Sequence, residues 1–340
     1  MKKIFIVLII LMIGVSGAFA QVNVTDMQDS FSTFSSDVST SLPFASTIGL
    51  NWSDATVRSF PHFGAGLSVG AVLIPEDAFT TLAADMGFDI PPELTSLGIG
   101  IPLPAYTFDA RMGGLFLPFD IGVKFGFIPS EVASQLPISV DYTLAGFDLR
   151  MPIMKQNIVL PSIALSVGYN YLSAGVETPI STGMGQSVDI TDAFGSGSHI
   201  LYFGDPDARF QMDSNVLDAK LQISKSLLII TPYAGVGYSY GWSNAGGGVV
   251  GSVRYNDGTG EHDITADDIA AIEQAFADAG YDAPTLSADG FLVSSDSVGG
   301  SFRAFAGLSV NLFVLKLDLN AMYNVDTASF GGGVNARIAF

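Results

Sequence analysis

The side chains able to exchange protons near neutral pH are three histidines, His62, His199 and His262. His262 stands between Glu261 and Asp263, a setting in which a carboxylate could orient an imidazole for general acid–base work. Such work requires spatial reach to a substrate, which adjacency in sequence does not supply. His62 falls at an expected strand end and His199 follows the Gly/Ser-rich stretch Gly195 to Ser198. Neither carries a hydrolase motif, so no catalytic residue is assigned. The chain has no cysteine, which removes disulfides and thiolate sites. The glycine and final glutamate of a twelve-residue calcium loop are out of register around Asp257 to Asp268. No metal and no cofactor is expected.

A second set of charges has a clearer order. Asp109, Arg111, Asp120, Lys124, Asp218, Lys220, Arg303, Lys316, Asp318 and Arg337 each occupy one phase of a two-residue alternation whose other phase is apolar. Side chains alternate faces along a strand. Placing a Lys or Arg against lipid at mid-bilayer costs roughly 2–4 kcal/mol, so the charged phase must face inward in any membrane-spanning strand. These ten residues are read as lumen lining. They either border a polar channel and set a transverse field, or pair and pack a closed interior.

The elements that carry them are segments of alternating hydrophobicity. They run Phe44 to Trp52, Phe60 to Leu73, Leu103 to Met112, Leu117 to Ile128, Ile138 to Met151 and Ile158 to Leu172. Beyond these lie Val216 to Ser224, Leu228 to Trp242, Phe302 to Leu312, Leu312 to Val325 and Phe330 to Phe340. A phase change near Gly146, where Val140, Tyr142 and Leu144 precede Phe147 and Leu149, predicts a β-bulge at Ala145–Gly146. The chain is 48% hydrophobic, yet no segment after the first 20 residues approaches an uninterrupted apolar span of about 20 residues. Alternating segments in a closed barrel satisfy both facts, because every backbone group pairs between strands. The expected fold is all-β, a transmembrane antiparallel β-barrel of about 10–14 strands with about 12 favoured. An odd count of candidates implies a missed strand or an N-terminal segment that crosses the lumen before the first strand.

The segment Phe330 to Phe340 (FGGGVNARIAF) sharpens the class. Phe330, Val334, Ala336, Ile338 and Phe340 share one face, while Asn335 and Arg337 point the other way. This ending resembles the C-terminal strand of Gram-negative outer-membrane β-barrels. The resemblance implies that Phe340, with Ile338, serves as an assembly signal read by the barrel-assembly machinery. The layout as a whole is similar to outer-membrane barrels of spirochaetes such as the treponemes, including fatty-acid-transporter-like ones.

At the other end, Lys2 and Lys3, an apolar run from Ile4 to Val15 and the pair Ala18 and Ala20 read as a cleavable secretory signal over residues 1–20. Residues 21–42 read as a plug or gate segment. Val24, Met27, Phe31, Phe34 and Val38 recur at helical spacing, with Met27, Phe31 and Phe34 as its plug residues. A helix from about Thr25 to Thr40 would be ~24 Å long, close to the height of a barrel's apolar band. The barrel is expected over residues 43–340. Short connections alternate with long ones, and in this class long loops face outside. The longest holds a predicted helix capped by Thr265 with Asp268 three residues on, lined by Ile269, Ile272 and Phe276, and ended by Gly280. From Asn256 to Asp296 there are ten carboxylates and no Lys or Arg.

These features place the protein in the outer membrane, with membrane lipid, the assembly machinery and a small solute or hydrophobic ligand as partners. A net charge of −19 argues against nucleic acid. The expected function is passive passage of small solutes through the lumen. The alternatives are uptake of a hydrophobic, fatty-acid-like ligand, and adhesion or a purely structural role through the acidic loops.

Overall fold

The computed structural model describes residues 22–38, 41–53, 55–57, 62–74, 76–77, 80, 100–113, 118–128, 139–179 and 187–340. Residues 1–20, read from the sequence as a secretory signal, lie outside the described residues. In chain order the strands are β1 (Val22–Asn23), β2 (His62–Ile74), β3 (Ile101–Gly113), β4 (Asp120–Phe127), β5 (Ser139–Met154), β6 (Ser162–Pro179) and β7 (Ser187–Asp189). They continue with β8 (Ile200–Ser224), β9 (Ile230–Asn256), β10 (Glu261–Asp263), β11 (Thr285–Ser287), β12 (Gly290–Leu312), β13 (Leu315–Asn324) and β14 (Ser329–Ala339). The helices are α1 (Val24–Val38), α2 (Ser41–Ala45), α3 (Thr191–Phe194) and α4 (Ala266–Ala279).

Ten of these strands, β2 to β6, β8, β9 and β12 to β14, pair antiparallel with their neighbours in turn. The circuit closes where β14 meets β2, from Gly331 opposite Val72 to Ala339 opposite Gly64. Closure leaves none of the ten with an open edge, the condition for crossing a bilayer in strands. Alternation along β4 is complete: Asp120, Gly122, Lys124 and Gly126 are buried, while Ile121, Val123, Phe125 and Phe127 are exposed. The same alternation lays Leu67, Phe108, Phe147, Leu221, Val236, Leu317 and Val334 on the outside. The result is an outward apolar surface around a polar interior.

The barrel closes at the low end of the expected strand range, because Phe44 to Trp52 is not a strand. It forms the end of α2 and a turn, and every residue from Ser41 to Ser53 is buried. The N-terminal segment therefore occupies the lumen, and the first barrel strand starts at His62. With ten strands, β2 begins and β14 ends at the same short-turn end. The other end holds β1, which pairs in parallel with β7. Between these ends, α1, α2 and residues 46–53 and 55–57 lie along the inside of the barrel.

The expected bulge at Ala145–Gly146 does not occur. The pairing of β5 with β6 is regular there and shifts only between Pro152 and Met154. Tyr142 and Leu144 point inward and Phe147 outward, so one phase holds throughout. The apparent switch arises because this part of the lumen is itself apolar.

Strands β8, β9 and β12 are 25, 27 and 23 residues long. A bilayer needs about 9–11 residues per strand, so these three continue well past the membrane into segments read from sequence as loops. There they form a small head. Ile272 and Phe276 of α4 pack with Leu201, Phe203, Val253, Tyr255 and Leu286. The expected α4 caps are present: Thr265 and Asp268 form a reciprocal capping box, and Gly280 is left-handed at the C-terminus.

Candidate functional site: a plugged lumen

Nine of the ten charges read as lumen lining are buried, and the carboxylate of the tenth, Asp218, is largely so. They cluster near the short-turn end. Arg111 Nη1 donates to Asp120 Oδ1 at 2.6 Å, and its Nη2 donates to Asp148 at 2.7 and 2.9 Å. Arg150 donates to the same Asp120 from Nε at 3.1 Å and from Nη2 at 2.5 Å. Arg303 grips Asp218 at 2.7 and 3.0 Å, and Arg337 pairs with Asp318 at 3.0 Å. Taking such charges from water is costly unless each is paired and hydrogen-bonded. Most of the arginines are therefore committed to cross-linking neighbouring strands of the wall.

The two central lysines reach the plug, Lys220 while also lying 3.4 Å from Asp148 of the wall. Lys124 Nζ donates to the backbone carbonyls of Ser46 and Ile48, the latter at 2.7 Å. Lys220 Nζ donates to the Leu50 carbonyl at 3.0 Å. Gln222 Nε2 reaches the carbonyls of Trp52 and Ser53 at 2.8 and 3.0 Å, and Asp109 Oδ2 accepts from the Leu50 amide at 3.0 Å. Arg337 adds a bond to Ser53 Oγ at 2.8 Å. An irregular segment has no ladder of its own, so its buried polar groups must find partners elsewhere. Here the barrel wall supplies them, residue by residue.

Two glycines make the fit possible. Gly49 has a left-handed φ of 85°, and a Cβ there would lie 2.5 Å from Thr107 Oγ1. On the wall, a Cβ at Gly64 would come within 2.8 Å of the Trp52 ring. A cavity of about 10 Å³ remains beside Ile48, Gly49, Asn320 and Asn335. That is room for about one water. Among the described residues, Ser41 to Ser53 are buried within this part of the lumen.

Toward the long-loop end the lumen becomes apolar. Tyr142, Leu144, Leu172 and Met212 of the wall are buried with Leu42 and Phe44 of α2. Of the three residues read as the plug, Phe34 is buried in α1 and meets Phe210 edge-on at 5.2 Å. Met27 and Phe31 also lie on α1, but their side chains fall outside the described residues. The deeper plug, Ser46 to Ser53, was missed by sequence reasoning, and so was the wall pair Asp148 and Arg150. The pair alternates with Phe147 and Leu149 as the other lumenal charges do with their neighbours. The odd strand count was the signal for the plug.

The histidines are taken up by packing. His62 Nδ1 shares a 2.6 Å hydrogen bond with the Phe340 carbonyl at the seam. In the head, His199 stacks on Phe194 at 3.8 Å and shares a 2.6 Å bond with the Tyr255 hydroxyl. His262 meets the same tyrosine ring at 5.7 Å and lies 3.2 Å from Asp268. Phe340 and Ile338 are exposed on the outer face of β14, and the Phe340 amide donates to the Phe63 carbonyl at 2.9 Å. Among the described residues, no group of three potential metal ligands converges.

A closed antiparallel barrel with an apolar exterior and a charged interior defines an outer-membrane β-barrel protein, here one occupied by its own N-terminal segment. Residues 83–336 match the model of a family of unknown function (DUF6588), and the chain belongs to that family. No curated protein sequence matches it. Among solved structures it is similar to the outer membrane protease OmpT from Escherichia coli, at 8% identity over 84% of this chain and 100% of that one, with a TM-score of 0.36. The translocator domain of the autotransporter NalP from Neisseria meningitidis matches at 7% identity over 82% and 87%, with a TM-score of 0.28. The toluene transporter TbuX from Ralstonia pickettii matches at 10% identity over 94% and 98%, with a TM-score of 0.23. At these scores the likenesses carry no argument about activity.

Proposed function

We propose that the protein is a gated outer-membrane channel for small solutes, with residues 41–57 as the gate. The observation that carries this reading is the division of labour among the lumenal charges. Arg111, Asp120, Asp148 and Arg150 bind one another within the wall, Lys124 and the neutral Gln222 bind the backbone of the plug, and Lys220 bridges the two, 3.4 Å from Asp148 and bonded to the Leu50 carbonyl. Wall pairing of that kind does not need the plug to stay satisfied. Bonds from lysine and glutamine to main-chain carbonyls are exchangeable for water, at a net worth of about 1 kcal/mol for the amide and about 1.5–3 kcal/mol for each ammonium. The gate is thus held by several modest contacts to a wall that keeps its own cross-links. Single-channel recording in planar bilayers tests the idea. The full-length mature chain should be mostly closed, and a chain lacking residues 21–57 should give stable, larger steps. Silence from both forms would defeat it.

Uptake of a hydrophobic ligand is a second reading, in line with the fatty-acid-transporter-like layout of the sequence. It is favoured by the apolar outer half of the lumen around Leu144, Leu172 and Met212. Saturable binding of a fluorescent fatty acid, lost on Leu144→Asp substitution, would support it over solute passage.

A further inference from the structure

Two tight turns at the short-turn end carry side chains that turn geometry disfavours. In the β8–β9 hairpin, Leu227 and Ile230 exchange backbone hydrogen bonds of 2.7 and 2.9 Å around Leu228 and Ile229. In the β12–β13 hairpin, Leu312 pairs with Leu315 around Phe313 and Val314. The first central residue is left-handed in both, with φ of 50° at Leu228 and 56° at Phe313. Glycine or asparagine adopts that conformation readily, and bulky residues there are outliers. The sequence accepts the strain and sets a large apolar side chain at each tip. Leu228 is 99% exposed, Phe313 is fully exposed, and the β5–β6 connection repeats the pattern with Ile158 at 99% and Val159 at 82%.

The tips belong to one rim. Lys225 Nζ donates to the carbonyls of Asn157 and Ile158 at 2.7 and 3.0 Å, tying the first two connections together. The Asn311 amide donates to the Ile229 carbonyl at 2.7 Å and ties in the third hairpin. A strained, unpartnered apolar residue is an outlier that points toward function.

The outer wall indicates what covers this rim. On β6 the outward residues run from Ile163 to Tyr171, whose hydroxyl donates to Asp213 at 3.0 Å and marks a polar boundary. That stretch, at ~3.3 Å per residue and a tilt of ~40°, is about 20 Å tall, and the outward residues of β9 from Ile230 to Trp242 span about 30 Å, so the apolar band of about 25 Å reaches down to the turns. Ile158 and Val159 continue the apolar surface of β6 toward the tips without a break, as Ile229 and Leu228 continue that of β9.

We propose that the rim of Ile158, Val159, Leu228 and Phe313 is buried at the headgroup–acyl boundary of the periplasmic leaflet, anchoring this half of the barrel in phospholipid. The rim takes the place of an inner aromatic girdle on these hairpins. Exposed Lys155 beside it can extend toward lipid phosphates while its stem stays among apolar atoms. This surface is independent of what passes through the lumen.

The absence of cysteine makes the test direct. Leu228→Cys, Phe313→Cys and, as an outer-loop control, Asp257→Cys are each labelled with an environment-sensitive fluorophore. The labelled proteins are reconstituted in vesicles of phosphatidylethanolamine and phosphatidylglycerol. Chain-borne spin-labelled lipid should quench the two rim sites several-fold more than aqueous iodide does, with the order reversed at Asp257. Iodide quenching of the rim sites equal to that at Asp257 would overturn the proposal. So would protection that arises only when periplasmic extract is added, which would mark a protein partner. An Ile158→Cys reporter, outside both tight turns, gives the same reading where a substitution within a turn impairs folding.

Discussion

The guanidinium of Arg337 lies 4.5 Å from the centre of the Trp52 ring, so an inward charge of the last strand rests on the face of a plug residue. Arg111 approaches the same ring at 5.6 Å. The indole is thus held by cations from β14 and β3, the two strands that flank β2. Cation–π contacts contribute about 0.5–2 kcal/mol each. Trp52→Leu keeps apolar bulk and loses both. The expected result is a gate that opens more often by about tenfold for each 1.4 kcal/mol lost, with thermal unfolding of the barrel little changed. An unchanged open probability would remove Trp52 from the gate.

Lys124→Met leaves the carbonyls of Ser46 and Ile48 buried without their donor. The cost of orphaned buried acceptors is about 1–3 kcal/mol. Protease should cut the 41–57 segment faster in this variant while the strands remain protected. Equal cutting rates in variant and parent would show that the lysine does not hold the plug.

Asp120 is the shared partner of Arg111 and Arg150. Asp120→Asn leaves two buried guanidiniums with one remaining carboxylate, Asp148, and should destabilise the barrel by about 3–5 kcal/mol. The midpoint of denaturant unfolding in detergent micelles measures this. A shift no larger than that of a surface control would contradict the assigned pairing.

In the head, His262 is raised above its ordinary value of about 6.5, first by its hydrogen bond to Asp268 and then by the Gly260 carbonyl. For Asp268, burial raises the pKa, but hydrogen bonds from Thr265 and His262 outweigh it and leave the group lowered. A raised histidine contributes in full below its unfolded value and loses that contribution as pH climbs through the folded value. A lowered carboxylate contributes above its unfolded value, about 3.9, and loses that as pH falls through the folded one. The contact that seats α4 should therefore be strongest from about pH 4 to about pH 6.5 and weaken above. An NMR titration of His262 should show its midpoint falling in Asp268→Asn, and identical midpoints would rule out the coupling.

Deleting Phe340 removes both the amide that bonds Phe63 and the carbonyl that meets His62. Membrane levels of the variant should drop while secretion to the periplasm continues. Normal insertion would count against an assembly role for this residue.

Period-two alternation made the barrel legible. Asp109, Lys124 and Arg337 are buried, on the phase of the alternation that lipid, which tolerates none of them, leaves for charge. Two things resisted. Tyr142 and Leu144 looked outward because the rule equating apolar with lipid-facing fails where the lumen is itself apolar. Phe44 to Trp52 mimicked a strand because a buried irregular segment also carries frequent apolar residues. Its hydrogen-bond partners, Lys124, Lys220 and Gln222, lie from about 75 to 170 positions away, beyond any local pattern. The outer extensions of β8, β9 and β12 escaped notice because the glycine- and serine-rich stretch after Trp242 looks like a loop until it is paired.

The path of the N-terminal arm has a consequence for how the molecule is assembled. Because β1 sits at one mouth and β2 starts at the other, the arm is a thread and the ten strands are a ring around it. A ring whose last bond is the β14–β2 seam closes either around a thread already lying in its bore or before that thread is passed lengthwise through it. Once closed, sideways escape is barred, and the arm can leave only by sliding along the axis. The β14–β2 seam thus limits any movement of the arm to the barrel axis.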